Sequence, residues 1–293
     1  MKFNEDSRVK IPGILHLTKL GYDYLPLKDA KWSADNNIFT DIFLKSVQKI
    51  NDGLNENDAK RLLDDVSLSI DNEDLGKAFY ERLIQKSGIK LIDFENFDNN
   101  SFNVVTELTY KNDEDEFRPD IILLINGMPL VFIEVKKPNN QDGVLAERDR
   151  INTRFQNKKF RKFMNITQLM VFSNNMEYDD ESPLPIEGAF YAAPSYKKAI
   201  FNYFREEEQF DLSKLLTPEN DEVENIVLKD NNLVGIKNSD EFLTNKNPDS
   251  PISRIFNSLF MKDRLYLYCS MLLLMLTKLM VCKNTLCVTL SCL

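Results

Sequence analysis

Between Ile38 and Gly88 apolar residues recur at three- and four-residue steps: Phe39, Ile42, Phe43, Val47 and Ile50, then Leu62, Leu63 and Val66, then Leu75, Phe79 and Leu83. That spacing predicts packed amphipathic helices. Asn72 ahead of Glu73 and Asp74 reads as an N-cap with acids in the first turn, and Gly88 reads as a stop. A shorter apolar helix is expected around Ile14–Leu20, then an extended stretch at Tyr22–Leu27. After Ile89 the pattern turns β-like: Phe102–Tyr110 is β-rich, and Lys111–Glu116 is a polar turn with four acids. Two strands follow, Asp120–Ile125 and Leu130–Lys136, joined by Asn126-Gly127-Met128-Pro129, a strong hairpin signal. Val144–Phe163 reads as a helix, and Gln168–Ser173 and Ala189–Ala193 as strands separated by an acidic loop at Glu177–Glu181. Residues 195–216 look helical, 217–250 look like a polar, acidic excursion, and the helical period returns from Ser253.

The hairpin carries the candidate chemistry. Its first strand opens with Arg118-Pro119-Asp120 and its second ends with Glu134-Val135-Lys136. Glu134 and Lys136 are two apart and share a strand face. A three-residue loop, Asn126–Met128, pairs position 120 with 134; a two- or four-residue loop displaces Asp120 by one. In the in-register case Asp120, Glu134 and Lys136 converge. Two adjacent carboxylates repel unless a cation lies between them, and oxygen ligands with room for water suit Mg²⁺ or Mn²⁺. Such a metal polarises a phosphodiester and activates water, while a lysine stabilises the charge that develops. The plain alternative, surface charges at a strand end, fits poorly with the apolar run Val131-Phe132-Ile133 just before Glu134.

Charge sharpens this picture. The chain of 293 residues has net charge −9, so a nucleic-acid site has to be local. Val144–Phe163 reverses the sign, with seven basic residues (Arg148, Arg150, Arg154, Lys158, Lys159, Arg161, Lys162) against Glu147 and Asp149. Together with Lys137 these are the candidate contacts to a DNA backbone. The lone His16 sits in an apolar helix and reads as a packing residue, and the body offers no soft ligand set for zinc. The charged N-terminus has no apolar signal region, and Leu265–Thr277 is too short to span a bilayer, so the expected compartment is the cytoplasm with no membrane partner.

The segments RPDIILLINGMPLVFIEVKKPNN, AERDRINTRFQNKKF and ITQLMVFSNN together resemble the N-terminal endonuclease domain of the R subunit of type I restriction–modification enzymes. The resemblance runs from about Asn4 to Leu267. It implies an α/β (α+β) fold of the PD-(D/E)xK class, a mixed sheet flanked by helices. Catalytic roles then fall to Asp120, Glu134 and Lys136, with Asp120 and Glu134 holding Mg²⁺ or Mn²⁺. Double-stranded DNA and the methyltransferase (M) and specificity (S) subunits are the implied partners. Many family members carry a Gln-x-x-x-Tyr pair on the helix after the lysine; here Arg150-Ile151-Asn152-Thr153-Arg154-Phe155 stands instead, and Arg150 or Arg154 is expected to face the phosphates. Glu73, Glu81 and Glu107 are candidates for a further acid. No Gly-x-x-x-x-Gly-Lys-Ser/Thr loop occurs, so ATP-driven translocation, used by longer family members, is not expected of this chain. Two alternatives stay open: a silent DNA-binding or subunit-docking module, and another repair or recombination nuclease of the same core.

The expected organisation is a helical region at 1–95, the nuclease core at 96–216, an acidic linker at 217–252, and a connection at 253–293. All four cysteines (Cys269, Cys282, Cys287 and Cys292) fall in the last stretch, where the family resemblance stops after Tyr268. A one-base slip near codons 268–269 is the expectation: read out of frame, reverse translation of Lys283–Leu293 permits a stretch resembling the family's lead-in to its motor.

Overall fold

The computed structural model describes residues 5–85, 87–137, 141–176, 189–193, 200–203, 210–267 and 269. A π-helical turn, Asp6–Lys10, leads into α1 (Ile11–Lys19) and a short β1 (Asp23–Tyr24). Three helices follow: α2 (Thr40–Ile50), α3 (Glu56–Ser69) and α4 (Lys77–Leu83). Next come β2 (Phe102–Thr106), β3 (Tyr110–Asn112), β4 (Asp115–Phe117), β5 (Ile121–Ile125) and β6 (Met128–Val135). Then α5 (Gln141–Gln156), α6 (Arg161–Ile166), β7 (Leu169–Ser173), β8 (Ala189–Ala193) and β9 (Ile200–Tyr203) complete the core. The chain continues through α7 (Leu212–Leu215), α8 (Asp221–Asp230), α9 (Asp240–Asn245) and α10 (Pro251–Phe260).

Among the described residues, seven strands form one mixed sheet in the order β1-β2-β5-β6-β7-β8-β9, with β3 and β4 as a separate hairpin. β1–β2 and β6–β7 are parallel; the other pairs are antiparallel. β6 reaches β7 through α5 and α6, as a parallel pair requires a crossover. The two faces are distinct. Ile121, Leu123, Val131, Ile133 and Val171 bury into one cluster with α1, α3, α8 and α10. Ile122, Leu124, Phe132, Met170 and Phe172 bury into another with Ile151, Phe160, Phe163 and Met164 of the crossover. Burial of both faces explains why β5 and β6 read as continuous apolar runs rather than alternating ones.

The hairpin differs from the three-residue loop that would have aligned it. Ile125 pairs with Met128, so the turn is the two residues Asn126-Gly127, at φ 51° and 76°. Positive φ at both positions is the type I′ geometry that asparagine and glycine favour. The register then shifts: Leu124 faces Pro129, but Leu123 faces Val131, leaving Leu130 as an extra residue. This bulge is where Pro129 is tolerated in a central strand.

Other expectations are corrected. Helix α4 is capped not by Asn72 but at Gly76, where the Asp74 carboxylate accepts from the N–H of Gly76 and of Ala78. The helix ends at Leu83, five residues before Gly88. The long basic helix is broken at Asn157, whose side chain caps a 3₁₀ turn before α6. Within 195–216 the described residues include strand β9, not only helix. The stretch 217–252 is no linker: Asn220 and Ser239 cap α8 and α9, and Val227, Leu228 and Phe242 are fully buried. His16 packs as expected, its ring 2.6 Å from Asn257 Oδ1 of α10, and burial lowers its pKa to about 4. Among the described residues no helix is long and apolar enough to cross a membrane. The acidic loop at 177–181 and residues 270–293, with Cys282, Cys287 and Cys292, lie outside the described residues; Cys269 is buried.

Gly127 tests the hairpin. A Cβ there would stand 2.7 Å from Phe39 O and 2.8 Å from Phe43 N, at a φ that side chains rarely adopt. Gly127→Ala is expected to cost at least about 1–3 kcal/mol in denaturant unfolding. Unchanged stability would mean that the turn does not dock on α2 as described.

Candidate active site

The bulge decides the site. With a two-residue turn and no bulge, position 120 would face 133, and Asp120 would share a face with Ile133 rather than Glu134. The extra residue brings Ile121 opposite Ile133, and the next position in that register sets 120 opposite 134. Asp120 therefore lies on the side of Ile122, and Glu134 and Lys136 on the side of Phe132.

The contacts confirm the convergence. Lys136 Nζ stands 2.6 Å from Glu134 Oε1 and 3.9 Å from Asp120 Oδ2, and it donates to the Val135 carbonyl at 3.0 Å. Asp120 Oδ2 accepts the Val135 N–H at 2.9 Å, tying the two strand ends together. The three side chains are only 12–18% exposed. Burial, reinforced by the neighbouring Asp120 carboxylate, pushes Glu134 up to about 8, although Lys136 offsets part of the rise. Burial also raises Asp120. Lys136 is raised despite its own desolvation, because Glu134 and Asp120 favour the ammonium.

Two further acids belong to this neighbourhood, and neither is among the candidates read from the sequence. Glu147 of α5 has a side chain 2% exposed and bears electrostatically on both Glu134 and Asp120. Glu5, just ahead of the π-helical turn, faces Lys136 and Asp120; burial raises its pKa. Of the expected candidates, Glu73 pairs with Lys158 and Arg161, Glu81 with Lys77, and Glu107 with Lys10 and Arg118. Glu107 comes nearest, since its N–H donates to the Asp120 carbonyl.

The basic candidates divide. Lys137 follows the strand end, its N–H donating to Glu5 Oε2 at 3.1 Å. Arg148 is 3.4 Å from Asp149. Arg150 and Arg154 both grip Glu147, at 2.9 and 3.0 Å, and Arg154 lies over the Phe117 ring. Beyond the break the charges face acids of the helical region and of the β3–β4 hairpin. Lys158 pairs with Glu73, Lys159 with Asp113 and Asp115, Arg161 with Asp71 and Glu73, and Lys162 with Asp35 and Asp71.

The donor set fits a small hard cation. Two carboxylates face each other across a lysine, and among the described residues no three His, Cys, Asp or Glu side chains form a closed cage. Mg²⁺ keeps several waters and uses one or two carboxylates, so an open pair suits it better than a cation that needs a full oxygen shell.

The family model for the N terminus of the type I restriction enzyme R protein matches residues 2–179. This chain belongs to that family. The matched stretch holds the β5–β6 ribbon and the whole crossover; α8–α10 lie beyond it. The chain is 33% identical over 208 residues to the type I restriction enzyme MjaIXP endonuclease subunit of Methanocaldococcus jannaschii, covering 62% of this chain and 20% of that protein. It is 28% identical over 159 residues to the type I restriction enzyme HindI endonuclease subunit of Haemophilus influenzae, covering 45% of this chain and 15% of that protein. The R-protein family chain thus spans a fifth or less of the length of these relatives.

Glu134 gives a pH-dependent test. Its folded pKa, about 8, lies above the ordinary 4.5, so the folded state holds its proton more tightly than the unfolded chain. The stability this contributes is complete below 4.5 and is lost as pH rises through about 8. In metal-free protein, Glu134→Gln is therefore expected to raise Tm at pH 8.5 relative to wild type by at least about 2–4 °C, with a smaller gain at pH 5. An equal gain at both pH values would show that Glu134 is not the strained group.

Proposed function

We propose that the chain is the nuclease portion of a type I restriction R subunit, a cytoplasmic enzyme that hydrolyses phosphodiester bonds of double-stranded DNA with Mg²⁺, or Mn²⁺ in its place. The observation that carries the reading is the bulge-corrected register that puts Asp120, Glu134 and Lys136 on one face at one strand end. Family membership supports it independently.

Asp120 and Glu134 are the residues that would hold the cation. When bound, it supplies polarisation of the phosphodiester and a more acidic water. The chain's own groups do the rest. The Val135 N–H fixes the Asp120 carboxylate, so one oxygen is oriented before any ligand arrives. The Lys136 ammonium, held charged by both acids, is placed to stabilise negative charge on the phosphorane oxygens. Lys137, Arg148 and Arg150 are the candidate DNA cations nearest the site in sequence, and Arg150 is 62% exposed despite its bond to Glu147. Lys158, Lys159, Arg161 and Lys162 serve first to hold the crossover to its acidic neighbours.

In this reading the M and S subunits supply sequence recognition, and the chain itself has little sequence preference. Plasmid nicking in Mg²⁺ tests the assignment: wild type should nick, and Lys136→Ala and Asp120→Ala should each lose at least about 10²-fold. Equal nicking by all three proteins refutes the site. No nicking, with salt-sensitive DNA binding retained, replaces the enzyme with a binding module. Arg150→Ala should weaken binding and reduce the slope of log affinity against log salt by about one, whereas Arg161→Ala should lower stability and leave that slope unchanged. Equal slopes for the Arg150 variant and wild type would remove Arg150 from the DNA interface.

A further inference from the structure

We infer that Glu5 is a positioning residue of the site: its carboxylate fixes the strand end that carries Lys136. The inference rests on the nuclease reading above and adds a residue to it.

Three observations carry it. First, β6 ceases to pair as a strand after Val135, just where its catalytic residues sit. The Lys136 N–H still reaches Ser173 O at 2.8 Å. The next N–H, on Lys137, goes to Glu5 Oε2 at 3.1 Å, from a residue 132 positions away in the chain. Glu5 thus ends the strand in place of a ladder partner. Second, the helical turn that follows Glu5 is closed by one internal ion pair and pinned to the body at two points. Lys10 bridges Asp6 at 2.7 Å and Glu107 at 2.8 Å, and Arg8 pairs with Glu241 of α9 at 2.6 Å. Glu107 in turn adjoins Asp120 through its backbone. The N-terminal turn and the Asp120 strand therefore form one tied unit, and Glu5 extends it across to the Lys136 strand. Third, Glu5 is half-buried and bears electrostatically on Lys136 and Asp120.

The physical consequence follows from leverage. Lys136 reaches Glu134 through a long flexible side chain, so its ammonium is only as well placed as the backbone that bears it. An amide tether at residue 137 removes the freedom of that backbone to fray. A misplacement of about 1 Å at a catalytic group can lower turnover about 10²-fold.

The test compares wild type, Glu5→Ala, Glu5→Gln and Lys136→Ala in the full chain. Glu5→Gln keeps an acceptor oxygen for the Lys137 N–H without the charge. Amide hydrogen exchange reads the tether directly: Glu5→Ala should speed exchange at the Lys137 amide by about fivefold or more, and Glu5→Gln should stay within about twofold of wild type, as expected for loss or retention of one hydrogen bond. In plasmid nicking, Glu5→Ala should lower kcat by at least about tenfold at unchanged KM, and Glu5→Gln should restore most of it. Exchange at Lys137 unaltered by Glu5→Ala overturns the inference, as does a Gln variant as slow in turnover as the Ala variant. Faster exchange throughout the sheet overturns it too, because Glu5 would then be a general stabiliser. If wild type does not nick while the Lys137 exchange responds as expected, the nuclease reading falls and the tether stands.

Discussion

The register of the β5–β6 hairpin is the constraint on which the rest depends. Side chains alternate along a strand, so a one-residue slip exchanges the two faces completely. A type I′ turn at Asn126-Gly127 favours tight closure and the right twist, but alone it leaves Asp120 on the wrong face. The bulge at Leu130 corrects the parity. Everything proximal to the bulge obeys the turn, and everything distal obeys the site. Burial enforces the correction: Ile121 and Leu123 fill one cluster while Ile122 fills the other, so slipping back would exchange their environments.

The sheet then works as a partition. One face carries the helical body and α8–α10; the other carries the crossover. Along β6 the crossover face reads Phe132, Glu134, and then Lys136 beyond the strand, a passage from an apolar core to a largely buried charged end. That gradient sets the electrostatics of the three side chains. Desolvation raises both acids, and the same desolvation makes their attraction for Lys136 stronger than it would be in water. Glu147 bears electrostatically on both acids and is itself covered by Arg150 and Arg154.

How much of this was legible followed from range. The hairpin, its motif and the flanking strands were readable because turn chemistry and alternation are local signals. Pro129 was an available sign of the bulge, since a central strand accommodates proline only at such a break. Residues 217–252 misled because α8 is dense in acids; Asn220 ahead of Asp221 and Glu222, with Val223, Val227 and Leu228 on one side, was the helix signature beneath that charge. Glu5 and Glu147 were not identifiable, because nothing in their own surroundings marks an acid that meets its partners through tertiary contact. The same holds for Arg161 and Lys162: the sequence shows their charge, and only the fold shows Asp71, Glu73 and Asp35 opposite them.

Those ion pairs change the meaning of the local charge reversal that distinguished the crossover. A basic segment in an acidic protein has two uses, to attract polyanions and to dock on the protein's own acidic surface. Exposed pairs contribute little individually, but here they recur at Lys158, Lys159, Arg161 and Lys162, around the turn where the crossover swings back toward β7. Their common effect is orientation. They set how the end of the crossover lies against the segment between α3 and α4, the stretch ahead of α2 and the β3–β4 hairpin, while Ile151 buries α5 on the sheet face that bears Glu134. The basic stretch is thus divided by the break at Asn157: its second half fixes the scaffold, and its first half, with Arg148 and Arg150 exposed, is the part that the proposed DNA contact would use.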